Sequence, residues 1–179
     1  ISACLVGSEM CIRDRFQPER VGEVLTPLLE GLAPHVDLWL AETQSAIAEA
    51  RAIHAHLPKD GKPFWLSFTL RDEDTDEVPR LRSGEPVADA ARAAAELGVE
   101  VLLFNCSQPE VIGDAIDAAR DTFASLGVTI AIGAYANAFP PQPEEATAND
   151  GLDPLREDLD PPGYCLLYTS PSPRDRQKS

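Results

Sequence analysis

Two observations predict an α/β fold built on a parallel sheet. First, four short apolar runs rich in β-branched and aromatic residues recur along the chain, at intervals of about 30 residues that suit repeated βα units. Second, patterns typical of amphipathic helices separate these runs. Runs of this kind are typical of strands buried on both faces of a parallel sheet. The alternation therefore favours βα units joined by right-handed crossovers.

The predicted elements alternate strictly, beginning with a helix. The predicted strands cover residues 37–42 (DLWLAE), 63–70 (PFWLSFTL), 99–106 (VEVLLFNC) and 128–135 (VTIAIGAY). The predicted helices cover residues 18–32, 44–57, 85–98 and 109–127. The second helix closes before Pro58, and the last two end in glycine, the usual helix stop.

The segments at the carboxyl ends of the strands carry most of the polar chemistry. They read ETQS, RDEDTDEVPRLRSGEP, NCSQPE and AYANAFPPQPEEATANDGLDP. Ligands of α/β folds bind at these ends, so the functional site is predicted there. About 150 residues with four strands make only part of an eight-stranded barrel of roughly 250 residues. On length alone, a small doubly wound domain is the structural alternative.

The two ends of the chain carry a DNA signature rather than a folding pattern. LVGSEMCIRD (residues 5–14) and CLLYTSPSPR (residues 165–174) can be encoded by complementary strands of one DNA element, one frame apart. This is typical of a sequencing-library adapter translated at both ends of an insert. Residues 1–15 and 165–179 are therefore interpreted as adapter-like and set aside, which leaves residues 16–164 as the domain.

Composition narrows the class of partner. The chain has 30 Asp and Glu against 15 Lys and Arg, which argues against nucleic acid and anionic membranes. No apolar run approaches the ~18 residues that a membrane span requires. Cys106 is the only cysteine within residues 16–164, so a disulfide framework is not predicted and a cytoplasmic location is expected.

Cys106 follows a predicted strand and lies between the polar residues Asn105 and Ser107. A free cysteine on a strand is most often a small buried hydrophobe, but the carboxyl end of a strand favours a functional role. A nucleophilic cysteine needs a histidine base, and the three histidines all fall in helices or at the opposite end of the sheet. From the residues alone, packing and metal ligation both stay open.

Glu42 and the acidic run at residues 71–77 are the other polar candidates. Glu42 ends the first predicted strand, where it is either solvated beside a helix capped by Thr43 or Ser45, or placed to bind a substrate ammonium. The run RDEDTDE lacks the residue spacing of a calcium loop and is interpreted as a solvated loop. The chain has no GxGxxG, Walker A, GxSxG or CxxC motif.

An ordered set of motifs spans most of residues 16–164. They are LWLAETQSAIAEARA, GKPFWLSFTLRD, LRSGEPVADA, GVEVLLFNCSQPEVI and LREDLDPPGY. In this order and spacing, the set resembles the homocysteine S-methyltransferase family. The resemblance implies a zinc-containing (β/α)8 TIM barrel, of which this piece would supply roughly the fourth to the seventh strands with their helices.

The resemblance also implies a reaction and a set of site residues. The family transfers a methyl group to the zinc-bound thiolate of homocysteine, which gives methionine. Three cysteines hold the zinc: Cys106 in FNCS matches the first, and the other two form a Cys-Cys pair on the last strand. Glu42 in AET matches the carboxylate that contacts the substrate ammonium, and Asn105 is expected to shape the loop that aims Cys106. No catalytic acid or base is assigned.

The Cys-Cys pair is missing from residues 16–164, and Cys165 belongs to an adapter-like segment. One thiolate cannot complete a zinc site, so the chain as written is expected to be inactive. Two alternatives stay open: a non-catalytic barrel homologue or binding module without the metal, and an unrelated barrel enzyme in which Cys106 is core. The methyl donor (S-methylmethionine, S-adenosylmethionine, betaine or methylcobalamin) and the oligomeric state are left undecided.

Overall fold

The computed structural model describes residues 2–6, 20–72, 78–140 and 154–164. These residues form a five-stranded sheet with four helices. The strands are β1 (Ser2–Val6), β2 (Leu38–Gln44), β3 (Phe64–Phe68), β4 (Val101–Asn105) and β5 (Ala131–Tyr135). The helices are α1 (Val21–Leu32), α2 (Ile47–His56), α3 (Val87–Glu96) and α4 (Pro109–Leu126). Two short 3-10 helices cover Ala33–His35 and Glu157–Leu159.

The order of the strands in the sheet is the order of the strands in the chain. Every neighbouring pair is parallel. A doubly wound sheet reverses its strand order at a switch point, whereas a barrel adds each new βα unit beside the previous one. The prediction of an α/β fold with a partial barrel is therefore confirmed, and the doubly wound alternative is wrong.

The core lies between the helices and the outer face of this arc. Leu66, Leu102 and Phe104 are fully buried there, because successive strand residues point to opposite faces. The intervening side chains, such as Trp65 and Leu103, are only half-buried. The prediction that the strands are buried on both faces is thus wrong for inner-face residues such as Trp65 and Leu103, since the described helices cover only the outer face.

The two outermost strands differ from the sequence prediction. β1 lies in the segment interpreted as adapter-like, and it pairs in parallel with β2 from Ser2 to Val6. That interpretation concerns the origin of the DNA and stays a prediction. β5 was expected to be buried, yet its residues are half-buried or exposed, because in the described part of the chain it has a sheet neighbour on one side only.

Carboxylates satisfy the first backbone donors of α2. The Glu49 carboxylate accepts from the Ser45 N–H at 2.7 Å and from the Ala46 N–H at 3.2 Å. Glu85, which is 38 residues further along the chain, accepts from the Ile47 N–H at 2.9 Å. Negative groups are favourable at a helix start. The predicted caps, Thr43 and Ser45, are therefore wrong, and the helix begins three residues later than predicted.

We expect Leu66→Ala to lower the free energy of unfolding by about 2–5 kcal/mol. Leu66 is 0 % exposed at the centre of the sheet, so the truncation leaves a cavity that neighbouring strands cannot fill. Val24→Ala on α1 is the control, because Val24 is 67 % exposed and its truncation removes little packing. Urea unfolding followed by circular dichroism measures both. Equal costs for the two variants would contradict the described core.

Candidate functional site

Six side chains meet at the carboxyl ends of β2 to β5 and form one connected set, here called the carboxyl-end cluster. Sequence analysis predicted three of them, Glu42, Asn105 and Cys106. The other three, Thr43, Ser67 and Tyr135, were missed. Strand ends carry all six, and the shared parallel direction of the strands brings these ends to one edge of the sheet.

The Asn105 amide is the centre of the carboxyl-end cluster. Its oxygen accepts a hydrogen bond from the Ser67 hydroxyl at 2.7 Å. Its nitrogen donates to the Thr43 hydroxyl at 2.6 Å and to the Cys106 sulfur at 3.2 Å. Asn105 is 1 % exposed, so these bonds satisfy a buried polar group and fix its orientation. The amide therefore holds Cys106 directly; contact of Asn105 with a substrate stays a prediction.

Two residues of the carboxyl-end cluster adopt left-handed backbone conformations. Thr43 has φ of 60° and Cys106 has φ of 51°. A β-branched residue such as threonine is rare in this region, and each such residue costs about 1–3 kcal/mol. Conformations of this kind concentrate at functional sites. Here they turn the chain immediately after β4 and within the last residues of β2, so that both side chains meet Asn105.

Cys106 is exposed, so the alternative in which it is a core side chain is wrong. Partial burial of its sulfur raises the pKa of the thiol, and the Glu42 and Asp72 carboxylates raise it further. Hydrogen bonds from Thr43 and Asn105 act in the opposite direction without cancelling the rise. The thiol is therefore protonated at neutral pH, and a metal ion bound by this sulfur has to displace the proton.

Glu42 and Tyr135 form the second half of the carboxyl-end cluster. The Tyr135 hydroxyl donates to the Glu42 carboxylate at 2.7 Å and lies 3.4 Å from the Ser67 hydroxyl. Burial raises the pKa of the Tyr135 phenol, and the Glu42 carboxylate adds to the rise. Tyr135 is thus a neutral donor. Its hydroxyl thus lies between the Glu42 carboxylate and the Ser67 hydroxyl, which donates to the Asn105 amide.

Hydrogen bonds of Ser107, through its hydroxyl and its carbonyl, hold the loops around the carboxyl-end cluster together. The Ser107 hydroxyl accepts from the Leu70 N–H at 2.8 Å and donates to the Asn105 carbonyl at 2.9 Å. The Asn137 N–H donates to the Ser107 carbonyl at 3.0 Å. These bonds link the ends of β3, β4 and β5. The loop that carries Cys106 is consequently bonded both to the residues after β3 and to the residues after β5.

Asp72 differs from the predicted solvated loop. Its carboxylate accepts from the Gln108 N–H at 2.7 Å, at the residue that precedes α4. It thus occupies the helix N-terminus, where negative charge is favourable. The interpretation of the acidic run is wrong for Asp72, and residues 73–77 lie outside the described part of the chain.

Arg156 joins residues 154–164, the last described segment, to the start of α4. Its guanidinium donates to Glu110 at 2.6 Å and to Asp158 at 2.6 Å, and it also contacts Gln108. Ion pairs with Asp158 and Glu110 lower the pKa of both carboxyl groups. The Tyr164 hydroxyl donates to the Ala136 carbonyl at 2.6 Å. Residues 154–164 therefore pack against the loop after β5.

The described residues do not complete a metal site. Among them, no group of three or more His, Cys, Asp or Glu side chains could hold a metal ion. Cys106 is the one cysteine whose side chain the structure describes. Its soft sulfur suits zinc, but a protein zinc site uses at least three protein ligands. Cys106 thus fits as one member of a larger set.

A parallel β/α arc with its polar cluster at the carboxyl ends of the strands defines a barrel protein with its site at the usual end. The family model for homocysteine S-methyltransferase matches residues 8–162. The chain therefore belongs to the homocysteine S-methyltransferase family. No match was found among curated proteins. None of the helices in the described ranges has both the length and the apolar character needed to cross a membrane.

We expect Cys106→Gly to be more stable than Cys106→Ala. Glycine adopts left-handed φ without steric cost, whereas alanine there costs about 1–2 kcal/mol. The matched control is Ala48→Gly on α2, where the backbone is helical and glycine costs about 1 kcal/mol. Unfolding free energies from urea titration test both comparisons. A Cys106→Gly variant less stable than Cys106→Ala would contradict the backbone conformation described for Cys106.

We expect Cys106 to ionise at higher pH in the folded chain than in the unfolded chain. Its raised pKa means that folding favours the thiol, so stability falls as the pH rises above the unfolded pKa. The test is alkylation by iodoacetamide in a variant whose other cysteines, Cys4, Cys11 and Cys165, are serine. The pH of half-maximal rate should be higher in buffer than in urea. The same midpoint in both solvents, with native circular dichroism in buffer, would refute this expectation.

Proposed function

We propose that residues 16–164 belong to a zinc-dependent homocysteine S-methyltransferase, in which they supply one zinc ligand and part of the substrate site. The observation that carries this proposal is the position of Cys106. Cys106 is exposed at the carboxyl end of a barrel strand, and FNCS is the motif that we match to the first zinc cysteine of the family. The described geometry supports this role, since Asn105 and the left-handed backbone hold the sulfur at the open edge.

Glu42 suits the amino-acid end of the substrate. The carboxylate is half-buried at the same edge of the sheet, where it attracts cations more strongly than a fully solvated carboxylate. An ammonium is a favourable partner for a carboxylate, through charge-assisted hydrogen bonds. We assign Glu42 to the ammonium of homocysteine. Cys106 would then lie at the sulfur end of the bound substrate molecule, and Glu42 would lie at its ammonium end.

The reaction forms one bond and breaks another. The sulfur of homocysteine forms a bond to the methyl carbon, while the bond from that carbon to the donor breaks and its electron pair stays with the donor. The thiol proton is released to solvent. A zinc ion, when bound, would keep the substrate sulfur ionised at neutral pH. Cys106 alone cannot hold a zinc ion, so we propose that the 179-residue chain is inactive.

The proposal predicts what the uninterrupted reading frame contains and does. Sequencing outward from residues 16–164 in the parent DNA should reveal a Cys-Cys pair on the last strand. The complete protein should bind one zinc ion and methylate homocysteine, and Cys106→Ser should abolish both. Glu42→Gln should raise KM for homocysteine, with Glu23→Gln on the exposed face of α1 as the control.

Three outcomes would each contradict a part of the proposed function. An active complete protein that keeps its zinc in Cys106→Ser would remove Cys106 from the metal site. A complete frame without a cysteine pair and without activity would favour the non-catalytic binding module. Tight zinc binding and homocysteine methylation by the 179-residue chain itself would contradict its proposed inactivity.

A further inference from the structure

We propose that Tyr135 is a positioning residue that holds the Glu42 carboxylate in place for the substrate ammonium. The proposal rests on the proposed function, because it assigns a task to a side chain of that site. It concerns Tyr135, which lies on β5 and supplies neither a metal ligand nor a charge.

The direction of the hydrogen bonds follows from the chemistry of their ends. Glu42, when ionised, can only accept, so the Tyr135 hydroxyl donates to it across 2.7 Å. The Ser67 hydroxyl then has its proton available for the Asn105 oxygen, which is 2.7 Å away, compared with 3.4 Å to Tyr135. The two protons are thus committed to Glu42 and to Asn105, and the Tyr135 and Ser67 hydroxyls lie next to each other without sharing a proton.

The Asn105 amide lies beside this pair. Its oxygen accepts from Ser67, and its nitrogen donates to Thr43 and to the Cys106 sulfur. The Glu42 carboxylate on β2 and the Cys106 sulfur after β4 are thus each held by a neighbouring donor, the Tyr135 hydroxyl for the first and the Asn105 amide for the second.

A set separation matters for a substrate with two anchoring groups. Homocysteine carries its thiol and its ammonium on one short chain, so both contacts form only when the two protein groups are correctly spaced. Tyr135 would therefore contribute to selection of an amino-acid thiol over a thiol without the amino group. Its effect should fall on the ammonium contact and should be absent for a substrate that lacks the ammonium.

The test compares two thiols in the complete gene product. One is homocysteine, and the other is 4-mercaptobutanoate, which has the same chain without the amino group. Tyr135→Phe should lower kcat/KM for homocysteine by roughly 10- to 100-fold, the loss expected for one hydrogen bond to a charged group. It should leave kcat/KM for 4-mercaptobutanoate within about twofold of the parent value. The main effect should be on KM.

Two controls sharpen the comparison. Tyr164→Phe removes another phenol, whose hydroxyl donates to the Ala136 carbonyl after β5. This change should leave the ratio of the two kcat/KM values unchanged. In a Glu42→Gln background, Tyr135→Phe should have little further effect on that ratio, because the partner of its hydrogen bond has lost its charge. Thermal unfolding verifies that each variant is folded.

Two results would overturn the proposal: an equal loss for both thiols, or an unchanged preference for homocysteine. If Tyr135→Phe does not fold, the Glu42→Gln variant becomes the test. A preference for homocysteine over 4-mercaptobutanoate that survives Glu42→Gln overturns the proposal. Failure of the proposed function is distinct, since the parent protein itself would then methylate neither thiol.

Discussion

The buried amide of Asn105 is the interaction on which the rest of the site depends. It joins Thr43 of β2, Ser67 of β3 and Cys106 after β4 through three hydrogen bonds. A buried amide that loses one of these partners leaves an unsatisfied polar group, which costs about 1–3 kcal/mol. The carboxyl ends of three strands are therefore held together by polar contacts, in a region where the apolar core has already ended.

The backbone strain at Thr43 and Cys106 is understandable in this context. Each residue adopts a left-handed conformation that a side chain disfavours, and each presents its side chain to the same amide. The hydrogen bonds of Asn105 offset part of that cost. The fixed loop around Ser107, bonded to β3 and to the residues after β5, opposes relaxation of the Cys106 backbone. Strain and support thus occur together at the carboxyl-end cluster.

The fold was predictable from the sequence because it follows from local patterns. Periodicity and stop residues placed four strands and four helices. For example, α4 ends at Leu126, and the predicted stop residue Gly127 follows it with φ of 67°. What failed depended on distant partners. Glu85 supplies the acceptor at the start of α2 from 38 residues away. The prediction from adjacent residues had assigned that role to Thr43 or Ser45. The inner face is half-buried because the described helices cover only the outer one, and the spacing of residues within a strand does not encode which face is covered.

The site was predictable in part for the same reason. Cys106 and Glu42 stand out as polar residues at strand ends, whereas Ser67 and Tyr135 lie within runs that look apolar. Their importance arises only from contacts between strands, because the Ser67 hydroxyl donates to the Asn105 amide and the Tyr135 hydroxyl donates to Glu42. Glu42 and Asp72 raise the pKa of the Cys106 thiol, so their negative field disfavours an isolated thiolate and favours cations. If an ammonium binds at Glu42 as proposed, it would neutralise part of that field and so lower the cost of a thiolate nearby.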